Sequence, residues 1–160
     1  MITAHIPSGY LLGKSLQAKH RLLMAVVIIG AVFPDFDLFW FYFVDGKAFH
    51  HHRYWVHAPG FWLLISAIII PVLLLWYKAV LKPYLFFLAA VALHICLDTI
   101  AGSIMWLWPF SNQLYELTTV PATQSHWILS FMVHWTFGLE IGIWIIAIAM
   151  VIRTRLSLDT

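Results

Sequence analysis

Three long apolar runs constrain this chain more than any other feature. Residues 61–77 carry no charge, residues 84–100 carry only His94 and Asp98 as ionisable groups, and residues 127–152 only His134 and Glu140. Each is close to or above the ~20 residues that a helix needs to cross hydrocarbon at ~1.5 Å per residue. Composition agrees: 62% of the 160 residues are hydrophobic and only 10% charged. A soluble domain holds about 25% charged residues. With lipid as solvent, backbone groups must be satisfied within the segment, and helices do this. The expected fold is an all-α polytopic membrane bundle in one domain spanning residues 1–160.

A fourth crossing is harder to delimit. Residues 22–33 are apolar, Pro34, Asp35, Phe36 and Asp37 follow, and a second apolar run covers residues 38–44. Two aspartates in a lipid-facing helix are costly. The preferred reading is a helix from about Ser15 to Pro34, with residues 38–44 interfacial or re-entrant. About four transmembrane helices result, plus an N-terminal interfacial or re-entrant segment. Pro71 is expected to kink the helix that contains it. Lone Cys96, in an apolar run, reads as a buried, inert thiol. No cleavable signal sequence is expected, because the first 21 residues lack an apolar core ending in a small-residue site.

With four crossings, Lys14, Lys19, Arg21, Lys78, Lys82, Arg153 and Arg155 fall on one side and Lys47 and Arg53 on the other. The positive-inside rule then puts both termini in the cytoplasm. The +2 net charge is too small to suggest a nucleic-acid partner. Most of the nine tryptophans are expected to form an interfacial belt.

The remaining ionisable groups gather on the Lys/Arg-poor side. Asp35 and Asp37 end the first crossing, His50, His51, His52, Arg53 and His57 precede the second, His94 and Asp98 end the third, and His126 and His134 open the fourth. Four residues apart on a helix, His94 and Asp98 share a face. Mixed imidazole and carboxylate donors suit zinc, manganese or iron rather than calcium or magnesium. Arg53 offers a planar fork of donors for a phosphate or carboxylate. Glu140 lies six residues after His134 on another helical face, where pairing between helices is the simpler role. His20, between Lys19 and Arg21, belongs with the basic cluster.

The order Ala4-His5-Ile6-Pro7-Ser8-Gly9-Tyr10, Gly30-Ala31-Val32-Phe33-Pro34-Asp35-Phe36-Asp37, His51-His52-Arg53 with His57, His94-Ile95-Cys96-Leu97-Asp98 and Leu107-Trp108-Pro109-Phe110 resembles a known family. It is similar to the YdjM-like bacterial membrane-bound metal-dependent hydrolases, described as LexA-binding and inner-membrane-associated. The resemblance covers residues 1–111. It implies a distant relation to zinc-dependent phospholipase C, with His94-x-x-x-Asp98 the most direct match and His5, Asp35, His57 and His126 as further ligands. The second phospholipase pair, His-x-x-x-Glu, is missing, since Gly138 stands four after His134. The phospholipases' N-terminal amine ligand has no evident counterpart either. One or two divalent ions, zinc first, are therefore expected. Nothing in the residues speaks to LexA.

The expected function is a metal-dependent hydrolase of the inner membrane, with its site on the periplasmic face and an amphiphilic or lipid substrate. Asp37 is the candidate general base or ligand-orienting residue, and Arg53 the clamp for a substrate anion. A metal-ion or proton transport protein using the same groups is the alternative.

Overall fold

The computed structural model describes residue 1 and residues 3–156. Its helices are α1 (His5–Ser15), α2 (Arg21–Val32), α3 (Asp37–Phe43), α4 (Pro59–Trp76), α5 (Lys78–Ala101), α6 (Trp127–Met132) and α7 (Trp135–Leu156). Short 3-10 turns occupy Pro34–Phe36, His51–Arg53 and Trp55–His57.

Three helices, α4, α5 and α7, are long and apolar enough to cross a bilayer. A fourth candidate is α2 together with Pro34–Phe43, bent by 56°. The outer faces of these helices are apolar and exposed, with Leu63, Ile68, Leu75, Ile145 and Ile148 all at least half exposed. Such surfaces need lipid as their solvent. Helix α4 runs unbroken through Pro71. Cys96 sits on the exposed surface of α5 rather than in the core, because its neighbours Ile95 and His94 take the inward face.

The N-terminal region departs from the expectation of one helix from Ser15 to Pro34. It forms two helices, α1 and α2, joined by a tight turn in which Gln17 takes φ 55°. They pack closely against each other, and both also touch α5. Glycine permits this approach: a Cβ at Gly9 would lie 2.6 Å from Ala31 Cβ, and one at Gly13 would lie 2.5 Å from Met24 Sδ. Gly9 and Gly13 are one helical turn apart, the small-residue spacing that lets membrane helices meet backbone to backbone. At 11 residues α1 covers about 16 Å, roughly half the hydrocarbon thickness.

This added short pass changes the topology. The Met1 amine lies against Asp98, near the C-terminal end of α5, whereas Lys14 Nζ meets Thr154 near the end of α7. The two termini of the bundle are thus at opposite ends, not together at the basic end. The apolar stretch of residues 127–152 is also two helices. A break at Val133 and His134 separates α6 from α7, with His134 Nδ1 2.9 Å from Thr136 Oγ1.

Candidate metal centre

Each element end delivers one part of the site. The start of α1 supplies His5, the 3-10 turn after α2 supplies Asp35, and the last two turns of α5 supply His94 and Asp98. Ligand atoms of these four residues all lie within 4.8 Å of one another. His94 Nε2 is 2.9 Å from Asp98 Oδ2 and 3.8 Å from Asp35 Oδ1. His5 Nε2 is 3.2 Å from Asp98 Oδ1 and 3.9 Å from Asp35 Oδ2. The His5 and His94 rings stack with centroids 3.8 Å apart. His5, His94 and Asp98 are buried, and Asp35 is the half-open member.

His57 joins the cluster from the second loop turn. Its Nε2 lies 3.3 Å from His94 Nε2 and 3.7 Å from Asp98 Oδ2, while its Nδ1 faces Asp37 Oδ2 at 2.8 Å. His52 Nε2 comes within 3.6 Å of Asp98 Oδ2. Burial pushes the His52 imidazole well below its usual pKa. Burial also lowers that of His57, outweighing the neighbouring Asp37 carboxylate.

His94 Nδ1 is 2.8 Å from the Ala31 carbonyl, which only accepts, so Nδ1 carries a proton and Nε2 is the atom turned to the cluster. Asp37 orients His57 in the same way. The two Nε2 atoms face each other across 3.3 Å, with Asp98 Oδ2 2.9 Å from one and 3.7 Å from the other. Two imidazole nitrogens and a carboxylate oxygen converging in a buried site make a donor set that a cation could occupy. A carbonyl or carboxylate behind each imidazole is also the usual support of a metal-ligating histidine. The donor set therefore fits a divalent transition ion.

Other expected residues lie elsewhere. His126 is exposed and uses Nδ1 to accept from Ile128 N–H at the start of α6, so it caps a helix instead of entering the cluster. Arg53 is exposed on its 3-10 turn and does not line the cavity described below, because the turn directs His52 inward in its place. Asp37 sits behind the His57 ring, buried and away from that cavity, with His51 Nδ1 3.5 Å from its Oδ1. This position suits orientation of a ligand rather than proton abstraction from a substrate.

Two contributors had no clear sequence signal. The Met1 amine, for which no counterpart was evident, lies 2.5 Å from Asp98 Oδ1, and His5 Nε2 is 3.2 Å from the Met1 carbonyl. Glu140 is buried in α7 and accepts from both Thr3 N–H (3.1 Å) and Thr3 Oγ1 (2.8 Å). Trp144 Nε1 also donates to Thr3 Oγ1, at 3.2 Å. Glu140 thus ties down the segment that carries His5.

A cavity of ≈ 520 Å³ opens beside the cluster, bordered by Met1, Asp35, His51 and His52. Leu38, Phe41, Val120, Trp127 and Phe131 form its apolar wall, and Tyr42, His50, Thr119 and Ser130 add polar groups to those at the border. Glu116, also in the wall, accepts hydrogen bonds from Ser103 and Thr119, which hold its carboxyl below the usual range.

No curated protein and no solved structure matches the chain. The family profile described as the YdjM inner membrane protein matches residues 1–158, extending the likeness past residue 111 to α6 and α7. Spanning nearly the whole sequence, that match establishes that the chain belongs to the YdjM inner membrane protein family.

Proposed function

We propose that the chain is a membrane-embedded metal-dependent hydrolase of an amphiphilic ester or phosphoester. One observation carries this reading: His5, Asp35, His94 and Asp98, drawn from three separate elements, present converging donors beside a cavity that Asp35 borders. Two carboxylates and two imidazoles supply the mixed oxygen and nitrogen donors of a divalent ion and match zinc, with manganese or iron as alternatives. Such an ion, when bound, supplies Lewis acidity and makes water a usable nucleophile near neutral pH.

The protein's own groups do the rest. Asp35, the half-open carboxylate that also borders the cavity, is the acceptor for a proton released from water there. Asp37 holds His57, and the Ala31 carbonyl holds His94, so that both rings keep Nε2 turned inward. Leu38, Phe41, Trp127 and Phe131 receive the apolar part of the substrate and exclude water. The Lys/Arg-rich end of the bundle supports a cytoplasmic location for that end under the positive-inside rule, and on this reading the site faces the periplasm. A lipid then reaches the cavity at headgroup depth without leaving the bilayer.

The transport alternative needs polar groups at several depths. Glu140, a carboxylate within the candidate span α7, binds Thr3 beside the cluster and does not extend the polar groups to another depth. The deciding assay uses purified protein in phospholipid nanodiscs, with metal content measured and release of phosphate or headgroup followed on phospholipids and prenyl phosphates. Turnover that disappears with Asp35→Asn supports the hydrolase. Stoichiometric metal without turnover on any ester, together with zinc flux in liposomes, would replace it with transport.

A further inference from the structure

Beside this cluster the buried Asp37 carboxylate has His57 Nδ1 2.8 Å and His51 Nδ1 3.5 Å from its oxygens, and Nδ1 of the buried His52 has no hydrogen-bond partner. They form a second group, distinct from His5, Asp35, His94 and Asp98. One ring nitrogen from each of His51, His52 and His57 lies within 4.8 Å of the others. Two successive 3-10 turns, His51–Arg53 and Trp55–His57, fold the loop back so that the three rings meet. His52 and His57 are more than nine-tenths buried, and so is Asp37. Gly102 leaves the space that His52 fills, since a Cβ there would lie 2.6 Å from His52 Cε1.

Resting on the metal-centre reading above, we propose that His51, His52 and His57 form a second cation site that takes a borderline transition ion such as zinc or cobalt. Three imidazoles with an open fourth position make a common zinc environment. His51 and His52 also line the cavity, so a ligand there can reach the tripod. Asp37, 2.8 Å from His57 Nδ1 and 3.5 Å from His51 Nδ1, supplies negative charge at the back of the tripod. Asp98 links the two sites. Its Oδ1 turns to His5, while its Oδ2 lies 2.9 Å from His94, 3.6 Å from His52 and 3.7 Å from His57. A carboxylate with residues of both groups around it, His94 of the first and His52 and His57 of the second around one oxygen, is placed to bridge a two-ion centre, where paired cations clamp a phosphoester from both sides.

The test is zinc stoichiometry. Full-length protein in detergent is stripped with chelator, reloaded with zinc, passed through gel filtration and measured by elemental analysis. Wild type should retain two ions per chain and His51→Ala one, because His51 is partly exposed and touches none of the first four donors. His51→Gln, which better keeps the side-chain volume, serves if the alanine variant is not monodisperse. Cobalt loading gives an independent count, with the tetrahedral visible band roughly halved in the variant. One ion in both wild type and variant overturns the second site while leaving the first intact. Two ions in both would place the second ion elsewhere and also overturn it. No retained zinc in wild type removes the underlying metal reading as well.

Discussion

His5 Nε2 lies 3.2 Å from Asp98 Oδ1, joining the first turn of α1 to the last turn of α5. The contact depends on the α1–α2 hairpin carrying the N-terminal segment to the same end of the bundle as the last turn of α5. Asp98 is the hub, within 4.0 Å of His5, His52, His57, His94 and the Met1 amine. Asp98→Asn keeps the shape but removes the charge that offsets a cation. Zinc retained after gel filtration should drop at least tenfold with little change in size-exclusion profile. Unchanged zinc content would disqualify Asp98 as a ligand.

Asp37 acts from behind His57. Replacing it with asparagine leaves the packing in place but weakens the hold on the His57 tautomer. Metal affinity should fall by about 10–100-fold, the usual cost of losing a ligand's supporting partner. Competition with a fluorescent chelator measures this. An unaltered dissociation constant would mean that Asp37 supports no ligand.

Glu140 bears on the site through Thr3. Glu140→Ala removes the acceptor of two hydrogen bonds from Thr3, at a net cost of about 0.5–1.5 kcal/mol each. The thermal transition should move down, and metal affinity should fall with it as His5 loses its placement. Glu140→Gln retains one acceptor oxygen and should recover part of both losses. Normal metal affinity in a destabilised Glu140→Ala would assign the residue to folding alone.

Stability of metal-free protein should depend on pH through His52 and His57. Both have folded pKa values depressed by burial, so between those values and the unfolded ~6.5 the unfolded chain binds more protons. Stability is therefore full above pH ~6.5 and falls as pH drops below it. Melting temperature of chelator-treated protein between pH 8 and pH 5 reads the effect. His52→Gln should flatten the acid limb, and an equal slope in that variant would assign the pH dependence to other groups.

Steric room at Gly102 gives a further check. Gly102→Ala introduces a Cβ 2.6 Å from His52 Cε1 and 3.1 Å from the Asp98 carbonyl oxygen. The His52 ring must shift from its present position, so zinc retention should fall several-fold. Wild-type zinc retention would show that His52 can shift without consequence.

The long spans were legible because lipid imposes a one-dimensional rule: about twenty apolar residues make a crossing. That rule located α4, α5 and most of α7, and the placement of histidines and aspartates near their ends pointed to one cluster. It failed where polarity was carried by packing. Gly9 and Gly13 mark a helix contact in the segment read as interfacial or re-entrant, and Glu140 is buried in α7, where Thr3 hydrogen-bonds to it. His126 looked equivalent to His57 in the chain, yet one caps a helix in the open and the other is wholly enclosed.

By itself the sequence determined that this chain must be an α-helical membrane protein, and that its imidazoles and carboxylates collect toward one end. Hydrophobic length and residue chemistry are local properties, readable without knowing any partner. Tertiary structure alone decided which of those groups share a site, because ligation depends on distances between residues far apart in the chain. The α1–α2 hairpin and the two 3-10 turns set those distances.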